Sequence, residues 1–519
     1  MVVLPLLLAL LVSPAPVEVT QARSGVVAAL EQRFDHQNGG LRERQKFPVP
    51  ALPDALLLFS FRHGYLKHLQ MASLTLDRMA SGALYDHIGG GFFNHTRDSA
   101  WLKPKFRKNA TVTAGLMSVY LHAYKQTGVE RYIELAQDCR SSLIDDAFEQ
   151  RGFFLPGIGN SDDVWLRYFT WTRAELSQLL PSPTDELARL HWGITAQGPP
   201  KGPLRGRSVP RLARPLTSVA TIMGITLPEA RDQLAMARDR LLASRTARRP
   251  APEPSTITAE PNAAAVLALL ELAELLDDES ARQAALRASD TIAVRLVSPE
   301  HGAYGAVPLD GGPPSRHGSL RINAVVGLAL LRAYLNTGER RYLDRSLSVA
   351  DFCDRALWDS GRGAYVDFTP GSDIPRLGEG KVDVSDAHLM SANSLAVLFL
   401  EDLALATGNE AHHRRARALL MAGAERMPGR AFRAASYVLA TDRWQRGRLL
   451  VAIVGQASDL AAAARRVYVP WACISEAPDP PWFADVQIDA PCAVVRLPSG
   501  VVRIIKSPVE LESELRSHR

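Results

Sequence analysis

Cysteine is scarce in this chain, with four residues in 519 and no Cys-x-x-Cys pair. That spacing excludes a dithiol redox centre and a zinc ribbon. Cys139 and Cys353 fall on apolar helix faces and read as packing residues. Cys473 and Cys492 are free to pair if the protein is exported. Other signatures are missing too. The sequence has no Gly-x-x-x-x-Gly-Lys phosphate loop, dinucleotide fingerprint or Gly-x-Ser-x-Gly elbow, and no His-x-x-x-His pair or calcium-loop spacing. No cofactor and no metal are therefore expected. The charge balance is mild, at +5, with no basic arm or zinc finger, so nucleic acid is not an expected partner. Long apolar runs are also lacking. Val2–Val12 is the longest candidate, and it falls short of the roughly 20 residues that a membrane-spanning helix needs. No integral membrane domain is expected. The run suits a signal-peptide core ending near Ala22, although its n-region carries no Lys or Arg. Export to the periplasm or medium is the expectation, with an uncleaved leader on a cytoplasmic protein as the alternative.

What the chain does contain is a repeat. Tyr120-Leu-His-Ala-Tyr124 runs through Thr127-Gly128 to Tyr132, and Leu330-Leu-Arg-Ala-Tyr334 runs through Thr337-Gly338 to Tyr342 at the same spacing. Each copy continues as an amphipathic helix and ends in a glycine-aromatic loop, Gly152-Phe153-Phe154 or Gly363-Ala364-Tyr365. Weaker copies run from Asn262 to Tyr304 and from Ser394 to Met427, the latter turning at Gly408. Glycine after a helix takes the left-handed conformation that closes it. The unit is thus helix, Thr-Gly turn, helix, loop. Such hairpins cannot bury their apolar faces alone and must stack on neighbours. Long units joined by aromatic loops predict a closed all-α ring, an (α/α)6 toroid spanning residues 23–445 after a leader at 1–22.

Two segments break the repeat. An insertion at about 155–260 holds a strand-like run, Trp165–Thr172, a helix at Arg173–Leu180, a Pro/Gly/Arg-rich loop and a helix near Pro228–Arg245. From about 446 to 519 the period changes to a buried strand, a helix, a hairpin turning at Pro498-Ser499-Gly500 and a final helix, which predicts a small α/β element.

Functional groups crowd into Asp86-His87-Ile88-Gly89-Gly90-Gly91-Phe92 and its continuation through Asn94, His95, Asp98, Trp101, Lys105 and Arg107. This stretch, through Pro104 and Phe106, resembles the spermatogenesis-associated protein 20-like family of thioredoxin-fused six-hairpin toroids. Gly39-Gly40, Lys46-Phe47-Pro48, Tyr168–Thr172 and Ser391-Ala392-Asn393-Ser394 match further motifs of that family in order. The resemblance covers roughly residues 30–519. It implies kinship with six-hairpin glycosidases and N-acylglucosamine 2-epimerases, hence sugar chemistry. The departures are informative. The family's thioredoxin-like domain has no counterpart here, where the apolar leader stands. Its histidine becomes Phe93, its arginine-tyrosine becomes Asn94-His95, and a histidine and a glutamate become Lys105 and Arg107. An acidic pair becomes Arg321-Ile322, and a tryptophan-asparagine motif is blurred around Glu260-Pro261-Asn262. A guanidinium holds its proton near neutrality and cannot replace a general acid or base.

Two readings of the stretch follow. In the first, Asp86, His87, His95 and Asp98 act as acid–base groups of an epimerase or glycoside hydrolase. Trp101, Lys105, Arg107, Asp386, His388 and Asn393 then hold the sugar. In the second, Asp86 and His87 cap a helix, Trp101 is core, Asn393 is a cap and the basic residues are solvated. The lost titratable positions favour the second. The expected protein is then a catalytically degenerate member that binds a saccharide or a protein partner. His412-His413, set among arginines, reads as a solvated helix face.

Overall fold

The computed structural model describes residues 16–159, 163–198, 204–248, 254–369, 381–387, 389–446, 449–469, 472–475, 491–497 and 501–518. The Val2–Val12 leader, His388 and the turn at Pro498–Gly500 lie outside them. Three helices lead the chain: α1 (Val17–Arg33), α2 (Ala51–His63) and α3 (Leu66–Ser81). The hairpin of α4 (Ala110–Thr127) and α5 (Glu130–Ser141) follows. Five helices fill the insertion: α6 (Asp163–Phe169), α7 (Arg173–Leu179), α8 (Thr184–Trp192), α9 (Leu216–Met223) and α10 (Leu227–Ala247). The next hairpins are α11 (Ala259–Leu276) with α12 (Glu279–Thr291), α13 (Leu320–Thr337) with α14 (Arg340–Ala356), and α15 (Ala392–Thr407) with α16 (Glu410–Glu425). Helix α17 (Ala435–Gln445) comes last before the α/β element.

The turns explain the hairpins. Gly64, Gly128, Gly338 and Gly408 sit left-handed at φ 67°, 70°, 74° and 68°, each returning its N–H to the carbonyl four residues back. Asp277 does the same at φ 55° without being glycine. Helices α2, α4, α11, α13, α15 and α17 pack side by side in that order, and α17 returns to α2. Outside them lie α3, α5, α12, α14 and α16, each on its own hairpin partner. The outer partner of α17 is α1, so the two ends of the toroid segment build one wall together. The result is an all-α (α/α)6 toroid.

Composition follows position. Inner helix α13 buries Leu320, Asn323, Ala324, Val326, Leu330 and Tyr334 around most of its circumference. The polar residue of that set has a job. Asn323 Oδ1 accepts the Ala303 N–H at 2.8 Å, and its Nδ2 donates to the Ser319 carbonyl. Asn262, in α11, accepts from Phe154 N–H and donates to the Phe154 carbonyl at 2.7 and 3.0 Å. Asn393, in α15, donates to the Tyr365 carbonyl at 3.0 Å. Each asparagine clamps a two-residue hairpin: β1 (Phe148–Glu149) with β2 (Phe153–Phe154), β4 (Val297–Ser298) with β5 (Gly302–Ala303), or β7 (Trp358–Asp359) with β8 (Ala364–Tyr365). Another two-stranded pair, β3 (Thr256–Thr258) with β6 (Ala306–Pro308), lines the start of α11. The glycine-aromatic loops are thus the joints between successive hairpins.

The Trp165–Thr172 run, expected as a strand, forms α6 up to Phe169 and only then extends, with Trp171 bridged to Ser208. Helical spacing explains the difference. Trp165, Tyr168 and Phe169 stand three and four apart and pack on one another at ring distances of 5.1 and 5.9 Å from Trp165. Beyond α17, β9 (Leu449–Val454), β10 (Ala472–Ser475), β11 (Cys492–Arg496) and β12 (Val502–Ile505) form one sheet in the order β10-β9-β11-β12. Helices α18 (Ser458–Arg466) and α19 (Pro508–Ser517) pack on it. The registers place Cys473 opposite Leu450 and Cys492 opposite Val454, on either side of β9.

Because α1 completes the wall, its core residues should behave like those of any other ring helix. Leu30→Ala, at a position 1% exposed, is expected to cost about 2–5 kcal/mol in urea unfolding. A loss under about 0.5 kcal/mol would make α1 a peripheral arm.

Candidate functional site

The loop 86–108 connects α3 to α4, and its polar residues are committed to holding the chain together. The Asp86 carboxylate takes two 2.9 Å bonds from Arg245 Nη1 and lies 3.2 Å from Lys108 Nζ. Lys108 also bonds Asp146 at 2.8 Å. Burial opposes the charge on Asp86, but Arg245 and Lys108 outweigh it and hold the carboxyl well below its ordinary range. Arg245 comes from inserted helix α10, is fully buried and lies over the rings of Tyr168 and Phe169. The triple glycine makes room for this. A Cβ on Gly89 would collide with Arg245, one on Gly90 with the Asp138 carbonyl, and one on Gly91 with Ser142. This buried ion cluster docks the insertion onto the ring.

The remaining sequence candidates scatter. His87 Nε2 donates to the Gly82 carbonyl at 2.9 Å, and burial lowers its pKa to about 4. It faces a groove between α3, α5 and the inserted helices α8 and α10, with His191 and Arg238. His95 lies against Phe47 at 4.7 Å. Asp98 caps a turn by accepting from Leu102 and Lys103 N–H. Lys105 is half-buried and Arg107 is exposed, and neither forms an ion pair among the described residues. Trp101 is buried at φ 62°, donates to the Asn38 carbonyl at 2.8 Å and lies under Lys46. Asp386 is brought near Trp101, since both line a small cavity of about 150 Å³. Its carboxylate, however, ties the starts of two inner helices, accepting from Ser391 N–H and Ser436 N–H at 2.8 Å each. Burial raises its pKa to about 6 against those bonds. Asn393 is the hairpin clamp already described. His388 lies outside the described residues.

A different set of side chains converges on the ring axis. A cavity of about 370 Å³ lies inside the toroid, lined from all six inner helices. Two positions recur, counted back from the residue that closes each helix. Six residues before closure stand Leu58, His122, Glu271, Arg332 and Asp402, and ten before stand Asp54, Ser118, Leu267, Leu328 and Leu398. These positions are one helical turn apart and face the same way. Leu439 and Arg443 of α17 repeat the spacing, with Asp442 beside them.

The charged members are paired across neighbouring helices. His122 Nδ1 bonds Asp54 Oδ1 at 2.7 Å, and its Nε2 lies 3.1 Å from Glu271 Oε1. Lys125 reaches Glu271 at 3.2 Å, Arg332 meets Glu274, Arg443 meets Asp402 at 2.9 Å, and Arg62 reaches Asp442 through two bonds. Burial alone would lower the His122 pKa, but Asp54 and Glu271 overcome it and raise the value to about 10.

The rim at the start of the inner helices carries a second group. Arg321, in the first turn of α13, donates to the carbonyl of Met390, itself a lining residue of the cavity. Its charge reaches the Glu260, Asp367 and Asp386 carboxyls, all of which burial raises above their ordinary range. Asp367 is lifted to about 7, first by burial and then by Asp383. Its Oδ1 is buried without a hydrogen-bond partner among the described residues. Among the described residues no cluster of three or more His, Cys, Asp or Glu is placed to hold a metal ion. No described helix is long and apolar enough to cross a membrane.

The closed ring of paired helices with functional groups on its axis defines a six-hairpin (α/α) toroid. The chain is a sequence homologue of proteins named spermatogenesis-associated protein 20. It is 28% identical to the Homo sapiens protein over 437 residues, covering 77% of this chain and 55% of that one. The Mus musculus protein is 27% identical over 450 residues, covering 79% and 56%. The chain therefore spans about half the length of these relatives. No family model matches it. Among solved structures, a cellobiose 2-epimerase from Bacillus thermoamylovorans is similar at 10% identity and TM-score 0.49, over 77% of this chain and 85% of that one. An unsaturated glucuronyl hydrolase from Bacillus sp. GL1 is similar at 14% identity and TM-score 0.48, over 83% and 97%.

Two expectations follow from this geometry. Asp86→Asn leaves Arg245 buried without a counter-charge and should cost about 3–5 kcal/mol in urea unfolding. An unchanged urea midpoint would refute the bracing role. His122 has a folded pKa of about 10, above its unfolded value of about 6.5, so its stabilisation is complete below the lower value and fades as pH rises through the upper one. The stability gap between wild type and His122→Gln should therefore narrow from pH 7 to 10.5. A gap constant across that range would show that His122 is not held charged.

Proposed function

We propose that this protein binds a saccharide inside its ring, with the ligand entering at the rim formed by Glu260, Arg321 and Asp367. The observation that carries this reading is the convergence of polar side chains from every inner helix on one cavity of about 370 Å³. That volume lies at the small end of the range for small-molecule sites, roughly 300–1,000 Å³. The character of the wall supports a neutral, hydroxyl-rich ligand. Carboxylates stand beside an imidazole, an ammonium and guanidiniums, and the charges already balance one another in pairs. An ionic ligand would have to break a pair to bind. Sugar hydroxyls donate to carboxylates and accept from guanidiniums, leaving the pairs in place. The family resemblance leads to the same ligand class.

In this reading the loop 86–108 serves the scaffold, and its candidate acids and histidines are not the binding groups. A second reading, proton transfer on the bound sugar, is favoured by one observation. Asp367 is half-buried at the rim, with Oδ1 unpartnered among the described residues and a pKa near 7, in the range a general acid working near neutrality uses.

A thermal-shift screen with neutral and acidic mono- and disaccharides tests both readings. At least one sugar is expected to raise Tm, because a ligand that binds the native state stabilises it. No shift with any sugar would remove the proposal. For a sugar that binds, Asp367→Asn should leave the shift in place. Turnover of that sugar by the wild type, lost in the variant, supports the second reading, and no turnover by the wild type leaves a binder.

A further inference from the structure

The cavity has two ends of different construction. At the end where the inner helices begin, Met390 lines it and accepts a hydrogen bond from Arg321 of the rim. At the other end the connections are short turns, closed by Gly64, Gly128, Asp277, Gly338 and Gly408. There the chain leaves α17 and builds the α/β element, which lies over the ring. Arg465, Val467, Tyr468, Val469, Ala472 and Ile474 of that element all line the cavity. Arg465 is anchored on Glu274 of α11 at 3.3 Å. Tyr468 is buried, stands edge-on to Phe61 of α2 at 5.1 Å and lies 5.9 Å from the His122 ring. Helix α18 packs against α11, and β10 packs against α13. The contacts therefore span the ring from α2 to α13 and do not rest on one edge.

We propose that the C-terminal α/β element is the floor of the ligand pocket, with Tyr468 as the residue on which the innermost sugar rests. This deepens the saccharide reading and rests on it. The ring is a blind pocket and not a tunnel. A polymer can enter it only end first, so the ligand is a monosaccharide, a short oligosaccharide or the terminal unit of a chain. The pocket's chemistry fits this use. An aromatic face suits the apolar face of a pyranose, and the paired charges around it suit the equatorial hydroxyls.

Two measurements on the full chain separate this inference from the reading beneath it. The first titrates glucose, mannose, cellobiose and maltose into the protein by calorimetry. For a sugar that binds, a linear polymer of the same unit with both ends blocked is then titrated. The free sugar should bind and the end-blocked polymer should bind at least about ten-fold more weakly per site. Equal affinity for the end-blocked polymer would overturn the blind pocket while leaving saccharide binding intact. Tyr468→Ala should weaken the free sugar about ten-fold, and unchanged affinity would remove Tyr468 from the floor.

The second measurement needs no sugar, so it decides the floor even if none binds. Ser118, on the cavity wall, is changed to cysteine, and its reaction with a small and a bulky methanethiosulfonate is followed against a wild-type background. The small reagent should react faster. Adding Tyr468→Ala should raise the bulky reagent's rate about ten-fold by opening the far end. Should that variant not fold, Val469→Ala opens the same wall and carries the same comparison. Equal rates for the two reagents in Ser118→Cys alone, or no rise on opening, would overturn the closed floor.

Discussion

A ring of helices is stable only when every inner helix is covered on both flanks and on its back. Five inner helices obtain their backs from the next helix in sequence, across a turn of two residues. The sixth, α17, has no such partner after it, because the chain leaves the ring to form a sheet. The gap is filled by α1 from the opposite end of the toroid segment, which buries Val19, Val26, Val27 and Leu30 there. Closure is therefore a long-range event, and the axial cavity depends on it. At that closure α2 and α17 pack directly on one another, and the pair between Arg62 and Asp442 joins them.

Parts of this plan were legible in the sequence because they are local. A glycine that ends a helix leaves its mark on neighbouring residues alone, so the Thr-Gly turns and the hairpins around them could be read directly. The role of α1 could not, since nothing near residues 17–33 announces a partner more than four hundred positions away. The His412-His413 pair departs from its expected solvated face for the same reason. Its arginine neighbours suggest solvent, yet His412 is buried and His413 bonds Glu401 at 2.9 Å and stacks on Trp444. Local charge density does not report which face a neighbouring helix will cover.

The site shows the same division. The loop 86–108 drew attention through density of polar residues, but density measures how many groups a loop must satisfy as well as how many it offers. Asp86 and Lys108 are spent on Arg245, which arrives from residues inserted far downstream. The cavity residues were legible in principle, through register. His122 and Arg332 occupy the same place in the two best copies of the repeat, and Glu271 and Asp402 occupy it in the weaker ones. A position that is repeatedly titratable on a helix otherwise buried all round is a stronger signal than a crowded loop. It needs a reason that packing does not give.

Packing, indeed, argues against those residues. Interiors are filled to crystal-like density, and a cavity of about 370 Å³ interrupts that packing. A buried ion pair seldom gains stability over apolar residues of the same size, because desolvating two charges offsets their attraction. One turn away, Leu267, Leu328 and Leu398 show that this ring accommodates leucine on its axis without difficulty. Extending leucine to the next turn would remove both costs at once. The chain instead keeps His122, Glu271, Arg332 and Asp402 on the cavity wall, each oriented by a partner on an adjacent helix. Stability alone does not call for such an arrangement, and a polar ligand held at fixed donors and acceptors does.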